Sequence, residues 1–554
     1  MIAADATPDA GTSTRRKGLS PLFSCLGVAG WIVLLDNVGF WRTFLSAQPG
    51  SRFDQWTAAA GLASLLILLM AGLLRPLVGN RVGLTVVAVL LVISAGVAHY
   101  VDGWGVLVDR NLIRNVVETD AREVSELLSW SAAVDVLLRG VVPAVLLLLL
   151  PLASSSGWRT LGQTGLLLAG ATSVGMLLTV SLYGTLATTF RNHRELRLQL
   201  VPANYIRAVY GHFKGNIRSP VAPMPVASDA WRAPRPDARP KVMVLMVGET
   251  ARAANFSLGG YGRDTNRHLA GTGAVYFPNV ASCGTDTATS LPCMFSNLGA
   301  GAFSVGAAQA RENVLDVLAR AGVRVSWLEN NSGCKGVCTR VPTQAMPVAA
   351  PPERCGTDGC HDEILLPALQ RELDQAREDR LVVLHMMGSH GPSYYKRYPA
   401  PGPFQPTCDT NRIQSCGKAE LVNTYDNTID YTSKVIAEAI RIAERHAQSL
   451  DVAVFYVSDH GESLGENNIY LHGIPPLLAP REQKEVPMIG WLSSSAAQAA
   501  GLTPKCLPAV AGRAFSHDNL FHSLLGFHGV KTGAYRAELD LFAIAKEDAA
   551  CLRS

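Results

Sequence analysis

The sequence predicts a membrane part of five helices joined to an α/β domain in which a mostly parallel sheet lies between helices. Nearly all of the long apolar runs lie before about residue 190. After residue 241, short apolar runs alternate with segments of helical pattern. Of the 11 cysteines, all but Cys25 fall beyond residue 280. A chain of 554 residues is long enough to build both bodies.

The membrane part is predicted from five apolar stretches, each long enough for the roughly 20 residues that cross a bilayer. They lie near 21–41, 56–78, 82–102, 132–151 and 163–187. Basic residues precede the first stretch and follow the second and fourth, namely Arg15, Arg16, Lys17, Arg75, Arg81 and Arg159. The positive-inside rule therefore places these segments in the cytoplasm and the chain after the fifth stretch outside it. A cleaved signal peptide is the alternative for the first stretch, which lacks a clear cleavage site.

Composition divides the chain into four predicted segments. They are a cytoplasmic N-terminal segment at 1–20, a transmembrane domain at 21–190, an interfacial helix with a linker at 191–240, and a soluble domain at 241–554. Aromatic and basic residues mix in the third segment, as is typical of a helix at a membrane surface. The formal net charge of +4 is small for this length, and no block of like charge follows the N-terminus. We therefore expect no nucleic-acid partner.

The polar loop at 106–129, between the third and fourth stretches, has helical periodicity and a predicted cap at Thr119 or Asp120. Asn115, Thr119 and Glu123 are spaced by four, so on a helix they would share one face. A solvated face is the simplest interpretation of such a pattern.

The cysteines of the second half predict disulfides formed in an oxidising compartment. Four close pairs are Cys283 with Cys293, Cys334 with Cys338, Cys355 with Cys360, and Cys408 with Cys416. Cys506 and Cys551 remain and are predicted to form a fifth disulfide. The alternatives are zinc knuckles, whose spacing the pairs do not repeat, and a free thiol at Cys551.

Two predicted strands of the soluble domain run directly into polar residues. The strands are expected at 242–248, 323–329, 381–388, 452–459 and 486–492. Glu249 follows the first, Asp459 ends the fourth, and His460 follows directly after it. Ligands gather beyond the carboxyl ends of parallel strands, and two carboxylates with an imidazole suit zinc. A structural cap or turn is the alternative for the Asp-His pair.

Thr287 offers a fourth ligand oxygen. It lies between two cysteines in the Thr/Ser-rich segment ASCGTDTATSLPCMF, which is expected to open a helix. The N–H groups at the start of a helix favour an anion. An ordinary loop is the alternative for such a segment.

Five segments resemble the phosphoethanolamine transferases of Gram-negative bacteria, a family that includes the mobile colistin-resistance enzymes. They are GETARAANFSLGGYGR, SCGTDTATSLPCMFS, ENNSGCKGVC, GSHGPSYYKRYP and SDHGESLGENNIYLHG. The resemblance extends over nearly the whole chain and implies the alkaline phosphatase/sulfatase fold for the soluble domain. It also implies that a catalytic Zn²⁺ is held by Glu249, Thr287, Asp459 and His460.

The same resemblance implies roles for residues around the metal. Lys335, Asn331 and Thr285 match positions that hold the phosphate group. His390 and His472 match histidines that bind the substrate phosphate or a second zinc ion, and one of them is expected to protonate the leaving alcohol. Asn115, Thr119 and Glu123 match a loop that helps to bind the lipid donor, which replaces the interpretation of a merely solvated face.

The implied activity is transfer of phosphoethanolamine from phosphatidylethanolamine to lipid A or related lipopolysaccharide through a phosphoethanolamine-threonine intermediate. The enzyme is expected to be a monomer in the bacterial inner membrane, with its catalytic domain in the periplasm, and to confer polymyxin resistance. The alternatives are core sugars or periplasmic glucans as acceptors, a sulfatase or phosphoglycerol transferase, and an inactive membrane sensor or scaffold. A sulfatase would need a cysteine or serine at the position of Thr287.

Asp286 departs from the family pattern, which usually has a small residue beside the nucleophile. A carboxylate there would repel an anionic phosphate. We therefore expect Asp286 either to point away from the site or to alter the choice of acceptor.

Overall fold

The computed structural model describes residues 18–552, except for 49–50, 120, 154, 217–222, 236–237, 347–354 and 357–358. The described residues form two compact units. One contains the chain up to Gly103 together with Trp130–Asn204, and the other contains Trp104–Ser129 and the chain from Tyr205 onward. The connecting segment, Trp104–Ser129, therefore folds with the α/β unit although it lies between two apolar helices in sequence.

The first unit is helical. Its helices are Pro21–Leu35, Val38–Ala47, Arg52–Leu74, Arg81–Trp104, Trp130–Asp135, Val142–Leu149, Gly157–Asn192 and Leu196–Gln199, with a π-helical turn at Val136–Val141. Within the described residues, four continuous helices are long and apolar enough to cross a membrane, or five if a bent pair counts as one span. Trp130–Leu149, which includes the π-helical turn, is one of the four.

The first predicted span, 21–41, is not one straight helix. Its two halves are bent by 62° at Asp36 and Asn37. The Asn37 side chain donates hydrogen bonds to the carbonyls of Ile32 and Val201 and accepts one from the Val201 N–H. These bonds satisfy backbone groups at the break, so a side chain inserted between two helical runs accounts for the bend.

A charged cluster joins three helices within the helical unit. Arg139, on the π-helical turn, forms ion pairs with Asp36 at 3.3 Å and with Asp102 at 2.9 Å. Asp102 also accepts a hydrogen bond from the Gly39 N–H, and the Trp31 indole donates to the Arg139 carbonyl. Charged side chains among apolar helices are costly unless they pair. The cluster therefore fixes how these helices pack together.

The α/β unit is built on a seven-stranded sheet. Its strands are β1 (Lys241–Gly248), β2 (Val275–Phe277), β3 (Arg324–Glu329), β4 (Thr343–Ala345), β5 (Arg380–His385), β6 (Asp451–Ser458) and β7 (Met488–Leu492). The order across the sheet is β2-β7-β6-β1-β5-β3-β4. All neighbours from β6 to β4 pair in parallel, whereas β7 is antiparallel to β6 and β2. The predicted, mostly parallel sheet is confirmed.

Both faces of the sheet are buried, which explains why its central strands are continuous apolar runs. Alternate residues of β1 enter opposite cores: Met243 and Leu245 pack into one hydrophobic cluster, and Val242 and Val244 into the other. This follows from the two-residue period of a strand. The strand predicted at 381–388 ends at His385.

Helices cover the sheet on both sides. In the α/β unit they are Thr287–Met294, Val305–Gln309, Val314–Arg320, Leu365–Asp374, Lys418–His446, Ser494–Ala499, Cys506–Val510, Asp518–His528, Leu541–Glu547 and Ala549–Leu552, and Ala203–Asn216 leads into the unit. Three short strand pairs lie outside the main sheet: Val280–Ala281 with Phe515–Ser516, Cys355–Gly356 with Gly359–Cys360, and Ser463–Leu464 with Tyr470–Leu471.

The connecting segment contains two short helices, Arg110–Glu118 and Ala121–Leu127, and not one. Thr119 adopts an extended conformation, and its hydroxyl donates to the Asn115 carbonyl at 2.6 Å. The prediction that Asn115, Thr119 and Glu123 share one helical face is therefore wrong, because the helix ends before Thr119. Residue 120 and the side chain of Glu123 lie outside the described part of the chain.

The five predicted disulfides are confirmed. They join Cys283 to Cys293, Cys334 to Cys338, Cys355 to Cys360, Cys408 to Cys416, and Cys506 to Cys551. Zinc knuckles and a free thiol at Cys551 are thereby excluded. Cys25 is the one free cysteine of the described chain, and it is buried.

Candidate metal and nucleophile site

Adjacent parallel strands bring the first polar residues together. In the register of β1 and β6, Gly248 lies opposite Ser458. Both strands leave the sheet at the same edge, and the Asp459 N–H donates to the Gly248 carbonyl at 3.0 Å. Glu249 and Asp459 therefore occupy equivalent positions beyond the carboxyl ends of two neighbouring strands, as the sequence predicts.

Glu249, Asp459 and His460 form one buried cluster. One ligand atom from each residue lies within 4.8 Å of the others, and none of the three side chains is exposed. Nε2 of His460 is 3.2 Å from Glu249 and 3.5 Å from Asp459. Nδ1 of His460 lies 2.9 Å from the Gly461 carbonyl. A hydrogen bond from Nδ1 to this carbonyl leaves Nε2 free to bind a metal ion.

Thr287 completes the cluster from another element. It is the first residue of helix Thr287–Met294, and its hydroxyl lies 2.9 and 3.1 Å from the two carboxylate oxygens of Glu249. The same hydroxyl is 3.3 Å from Nε2 of His460. Thr287 is partly exposed, unlike the three residues beneath it. Its hydroxyl thus lies at the cluster in a residue that is itself partly exposed.

The disulfide Cys283–Cys293 ties the segment before Thr287 to the helix that Thr287 begins. Asp286 caps this helix, since its side chain accepts a hydrogen bond from the Thr289 N–H. The first N–H groups of the helix thus lie beside the Thr287 hydroxyl, where they favour a bound anion. This confirms that the Thr/Ser-rich segment opens a helix and is not a loop.

The electrostatics of the cluster favour a bound cation. Burial and the neighbouring Glu249 carboxylate raise the pKa of Asp459 to about 7. Burial would lower the pKa of His460, but the Asp459 and Glu249 carboxylates outweigh it and raise this pKa to about 10. Within the described chain, the buried Oδ2 of Asp459 has no hydrogen-bond partner. Two carboxylates, one imidazole nitrogen and one hydroxyl oxygen fit a tetrahedral Zn²⁺.

Two further predicted residues, His472 and His390, lie beside the cluster. The His472 ring centroid is 4.4 Å from that of His460 and 5.7 Å from that of His390. Nδ1 of His472 contacts the buried Glu462 carboxylate at 2.8 Å, and Glu462 also accepts a hydrogen bond from Tyr394. A histidine held by a carboxylate in this way keeps its second nitrogen oriented for proton transfer.

Asn331 contacts the cluster directly. Its side-chain amide donates to Glu249 at 2.9 Å and to the Met386 carbonyl at 2.9 Å. Behind it, the buried His385 contacts the Glu329 carboxylate at 2.9 Å. Burial would lower the pKa of His385, but the Glu329 carboxylate raises it. The pair therefore places a second buried ionic contact behind Glu249.

The side chains of Thr285 and Lys335 form hydrogen bonds with residues outside the cluster. The Thr285 hydroxyl donates to the Ile474 carbonyl at 2.6 Å, and the Gly473 N–H donates to the Thr285 carbonyl at 2.7 Å. The amine of Lys335 lies 3.3 to 3.4 Å from Ser332, which is its only hydrogen-bond partner within the described residues. Thr285 therefore connects the segment that contains Thr287 to the loop that contains His472. Lys335 lies in the Cys334–Cys338 loop, and its amine bonds to Ser332, just before that loop.

The connecting segment also reaches the segment of Thr287. Arg114 donates a hydrogen bond to the Thr289 hydroxyl at 2.7 Å. Asn115 is the next residue on the same helix, and its Oδ1 is buried without a hydrogen-bond partner in the described structure. Glu126 of the same connecting segment forms an ion pair with Arg397. Nε of Arg397 in turn donates a hydrogen bond to the His390 carbonyl.

Sequence reasoning missed Glu462 and Arg114 as site residues. Glu462 stands in the SDHGE motif itself, three residues after Asp459, so a buried carboxylate beside a histidine could have been sought there. No local signal marks Arg114, because its partner is 175 residues away in sequence.

Comparison with known proteins identifies the class of protein that this fold and site define. Residues 241–530 match the sulfatase family, and residues 65–217 match the family described as phosphoethanolamine transferase EptA/EptB. The α/β unit thus has the alkaline phosphatase/sulfatase fold, and it is joined to a membrane-type N-terminal part.

Similar proteins identify the family. The chain is 36% identical over 535 residues to phosphoethanolamine transferase EptA of Escherichia coli K12, covering 95% of this chain and 97% of that protein. It is 35% identical to phosphatidylethanolamine transferase Mcr-1 of Escherichia coli, covering 92% and 95%. The solved integral membrane lipooligosaccharide phosphoethanolamine transferase A (EptA) of Neisseria meningitidis matches with a TM-score of 0.89 and 34% identity, covering 94% and 98%. The chain belongs to the EptA family of phosphoethanolamine transferases.

Proposed function

We propose that this enzyme transfers phosphoethanolamine from phosphatidylethanolamine to lipid A and that Thr287 carries the group between the two substrates. Family membership supports the reaction. The observation that carries the role of Thr287 is its hydroxyl, which lies within hydrogen-bond distance of Glu249 and His460 at the start of a helix. Other transferases of this fold would share the metal cluster, so the choice of lipid donor and acceptor rests on the family.

Glu249, Asp459, His460 and Thr287 are the residues that would hold the zinc ion. When bound, zinc supplies positive charge that lowers the pKa of a coordinated hydroxyl and offsets negative charge on the phosphoryl oxygens. The residues themselves prepare the hydroxyl. Glu249 accepts a hydrogen bond from Thr287 and so orients the hydroxyl, and Asn331 in turn fixes the Glu249 carboxylate.

The proposed reaction has two transfers. In the first, the Thr287 hydroxyl releases its proton to water as its Oγ1 bonds to the phosphorus of phosphatidylethanolamine, and the bond from phosphorus to the diacylglycerol oxygen breaks. His472, held by Glu462, is placed to give this oxygen its proton. In the second transfer, an oxygen of the lipid A phosphate bonds to the phosphorus of the phosphoethanolamine-threonine ester, the bond from phosphorus to Oγ1 of Thr287 breaks, and Oγ1 takes a proton from water to regenerate the hydroxyl. The first N–H groups of helix Thr287–Met294 favour the phosphate in both steps.

The remaining predicted residues have supporting roles in this proposal. Lys335 and His390 offer positive charge or hydrogen bonds to the phosphoryl group, and Thr285 keeps the loop of His472 beside Thr287. Asn115, Thr119 and Glu123 of the connecting segment are proposed to contact the lipid donor. The connecting segment folds with the α/β unit, which supports a role in catalysis over a role in membrane anchoring.

We further propose a monomeric enzyme with five membrane spans in the bacterial inner membrane and with the α/β unit in the periplasm. The bent pair Pro21–Leu35 and Val38–Ala47 would be the first span. Five disulfides in the α/β unit support an oxidising compartment. Each transfer adds an ammonium group to an anionic glycolipid, so cationic polymyxins should bind the outer membrane less strongly.

The test separates the two transfers. Purified protein incubated with phosphatidylethanolamine alone should release about one diacylglycerol per chain, and the peptide that contains Thr287 should gain the mass of one phosphoethanolamine unit. Thr287→Ala, with unchanged expression and melting temperature, should do neither. A burst that requires added acceptor would contradict the covalent intermediate.

Mass spectrometry of lipid A from expressing cells identifies the acceptor. We expect one added phosphoethanolamine unit with the wild-type enzyme and none with Thr287→Ala. Modification of core sugars or periplasmic glucans without modification of lipid A would support the alternative acceptors. Absence of every such product from cells that contain folded protein would favour an inactive scaffold.

A further inference from the structure

A buried carboxylate lies next to the residue that we propose as the nucleophile. Asp286 precedes Thr287, and its side chain is only 5% exposed. Its carboxylate oxygens lie 2.9 Å from the Thr289 N–H and 2.9 to 3.0 Å from the Thr289 hydroxyl. These bonds cap the helix, but their donors are neutral groups and do not cancel the negative charge of the carboxylate. That charge remains close to the site where we propose an anionic phosphate binds.

Arg114 of the connecting segment supplies the opposite charge. Its guanidinium donates to the Thr289 hydroxyl at 2.7 Å and lies 3.4 Å from the Asp286 carboxylate. Its side chain is 13% exposed. Since Thr289 bonds to both residues, Arg114 contacts the carboxylate both directly and through the Thr289 hydroxyl. The three side chains form a single network at the start of the helix.

A second carboxylate, that of Asp109, adds negative charge near Arg114. Asp109 caps helix Arg110–Glu118 by accepting a hydrogen bond from the Leu112 N–H. Burial raises the pKa of Asp109, the Asp286 carboxylate raises it further, and Arg114 acts in the opposite direction. Arg114 is therefore a cation that acts on two carboxylates, the buried Asp286 and the partly buried Asp109.

We propose that Arg114 is a positioning residue that offsets the charge of Asp286, so that an anionic phosphodiester can approach Thr287. This inference rests on the proposed function. The departure of Asp286 from the family pattern is thus compensated by a residue of the connecting segment. Without Arg114, the carboxylate would repel the phosphodiester headgroup as it arrives.

The test compares two substitutions that separate charge from hydrogen bonding. Arg114→Gln keeps a donor for Thr289 but loses the charge, whereas Arg114→Lys keeps the charge. In full-length protein with phosphatidylethanolamine in detergent micelles, we expect R114Q to lower kcat/KM for diacylglycerol release at least about tenfold, mainly through a higher KM. R114K should retain activity within about threefold of wild type.

A second substitution tests whether Asp286 is the source of the defect. Asparagine caps a helix as well as aspartate does, so Asp286→Asn removes the charge and keeps the cap. In the double variant R114Q/D286N, kcat/KM should recover to within about threefold of wild type. The matched control is Arg110→Gln, which removes a charge from an exposed position of the same helix and should change nothing.

Wild-type kcat/KM in R114Q would overturn the inference, and so would a double variant as slow as R114Q itself. A purely structural role would lower the melting temperature or the active fraction of R114Q without raising KM, and would also overturn it. Thr287→Ala, measured in parallel, distinguishes the failure of this inference from the failure of the proposed function. If T287A still releases diacylglycerol, the proposed function fails as well.

Discussion

Thr285, Thr287 and Thr289 lie at every second position of the segment that contains the proposed nucleophile, and their contacts differ. The Thr285 hydroxyl is bonded to the Ile474 carbonyl, and the Thr289 hydroxyl to Asp286 and Arg114. Of these three described threonines, Thr287 alone contacts the cluster of Glu249, Asp459 and His460. Our proposal that Thr287 is the nucleophile therefore rests on the direction in which each threonine side chain points.

A prediction at this scale concerns the metal ligands. Glu249→Gln, Asp459→Asn and His460→Gln each remove one donor of a buried set, so each should lower zinc affinity at least about tenfold and abolish transfer. Zinc content of purified protein by plasma mass spectrometry measures this. The matched control is Glu466→Gln, a partly exposed carboxylate that pairs with Arg252 and should leave the zinc content unchanged. Full zinc content in all three variants would refute the ligand set.

At the scale of elements, the disulfides divide into short local loops and one long closure. Cys506 and Cys551 each belong to a short helix near the C-terminus, and both pack in the hydrophobic core. Their separation is 45 residues, whereas Cys355 and Cys360 are separated by only five. On the chain-entropy model, the long closure contributes up to about 4 kcal/mol and the short one about 2 kcal/mol.

We predict that replacing both Cys506 and Cys551 with alanine destabilises the protein more than the same change at Cys355 and Cys360. The physical reasons are the longer loop and the loss of two buried side chains from the core. The melting temperatures of the two double variants, C506A/C551A and C355A/C360A, measure the difference. Equal melting temperatures for the two variants would contradict it.

At the scale of the whole molecule, we predict that the α/β unit loses stability in mild acid, because two of its histidines are buried in the neutral form. Burial lowers the pKa of His517 to about 4 and that of His528 to about 3, against an ordinary value of 6.5. Between the lowered pKa and 6.5, the unfolded chain binds more protons than the folded chain. The contribution of His517 and His528 to the free energy of unfolding is therefore complete above pH 6.5. It falls as the pH decreases, and at pH 5 the loss is about 2 kcal/mol for each histidine.

A substitution at His528 tests this window. Both ring nitrogens of His528 are buried without a hydrogen-bond partner in the described chain, so His528→Phe removes the titration with little loss of bonding. Its melting temperature should match or exceed that of wild type at pH 7.5 and exceed it clearly at pH 5. His268→Gln, at a partly exposed histidine, is the control. An equal effect of pH on wild type and on H528F would contradict the prediction.

The sequence by itself determined the parts of this protein that local patterns encode. The five strands that it predicts appear in the sheet because each contains an apolar run whose residues are largely buried. Glu249, Asp459 and His460 could be grouped from sequence, since parallel neighbouring strands end at one edge. The family and its activity were also evident from five motifs, although no motif accounts for Asp286.

Only the tertiary structure decided which distant residues meet. It paired Asp286 with Arg114, which is 172 residues away, and it placed the carboxylate of Glu462 behind His472. It also showed that the helix ends before Thr119, so the predicted helical face does not exist. The physical reason is the same in each case: the packing of separate elements brings these groups together, and a periodic pattern in one element contains no information about its partner across the fold.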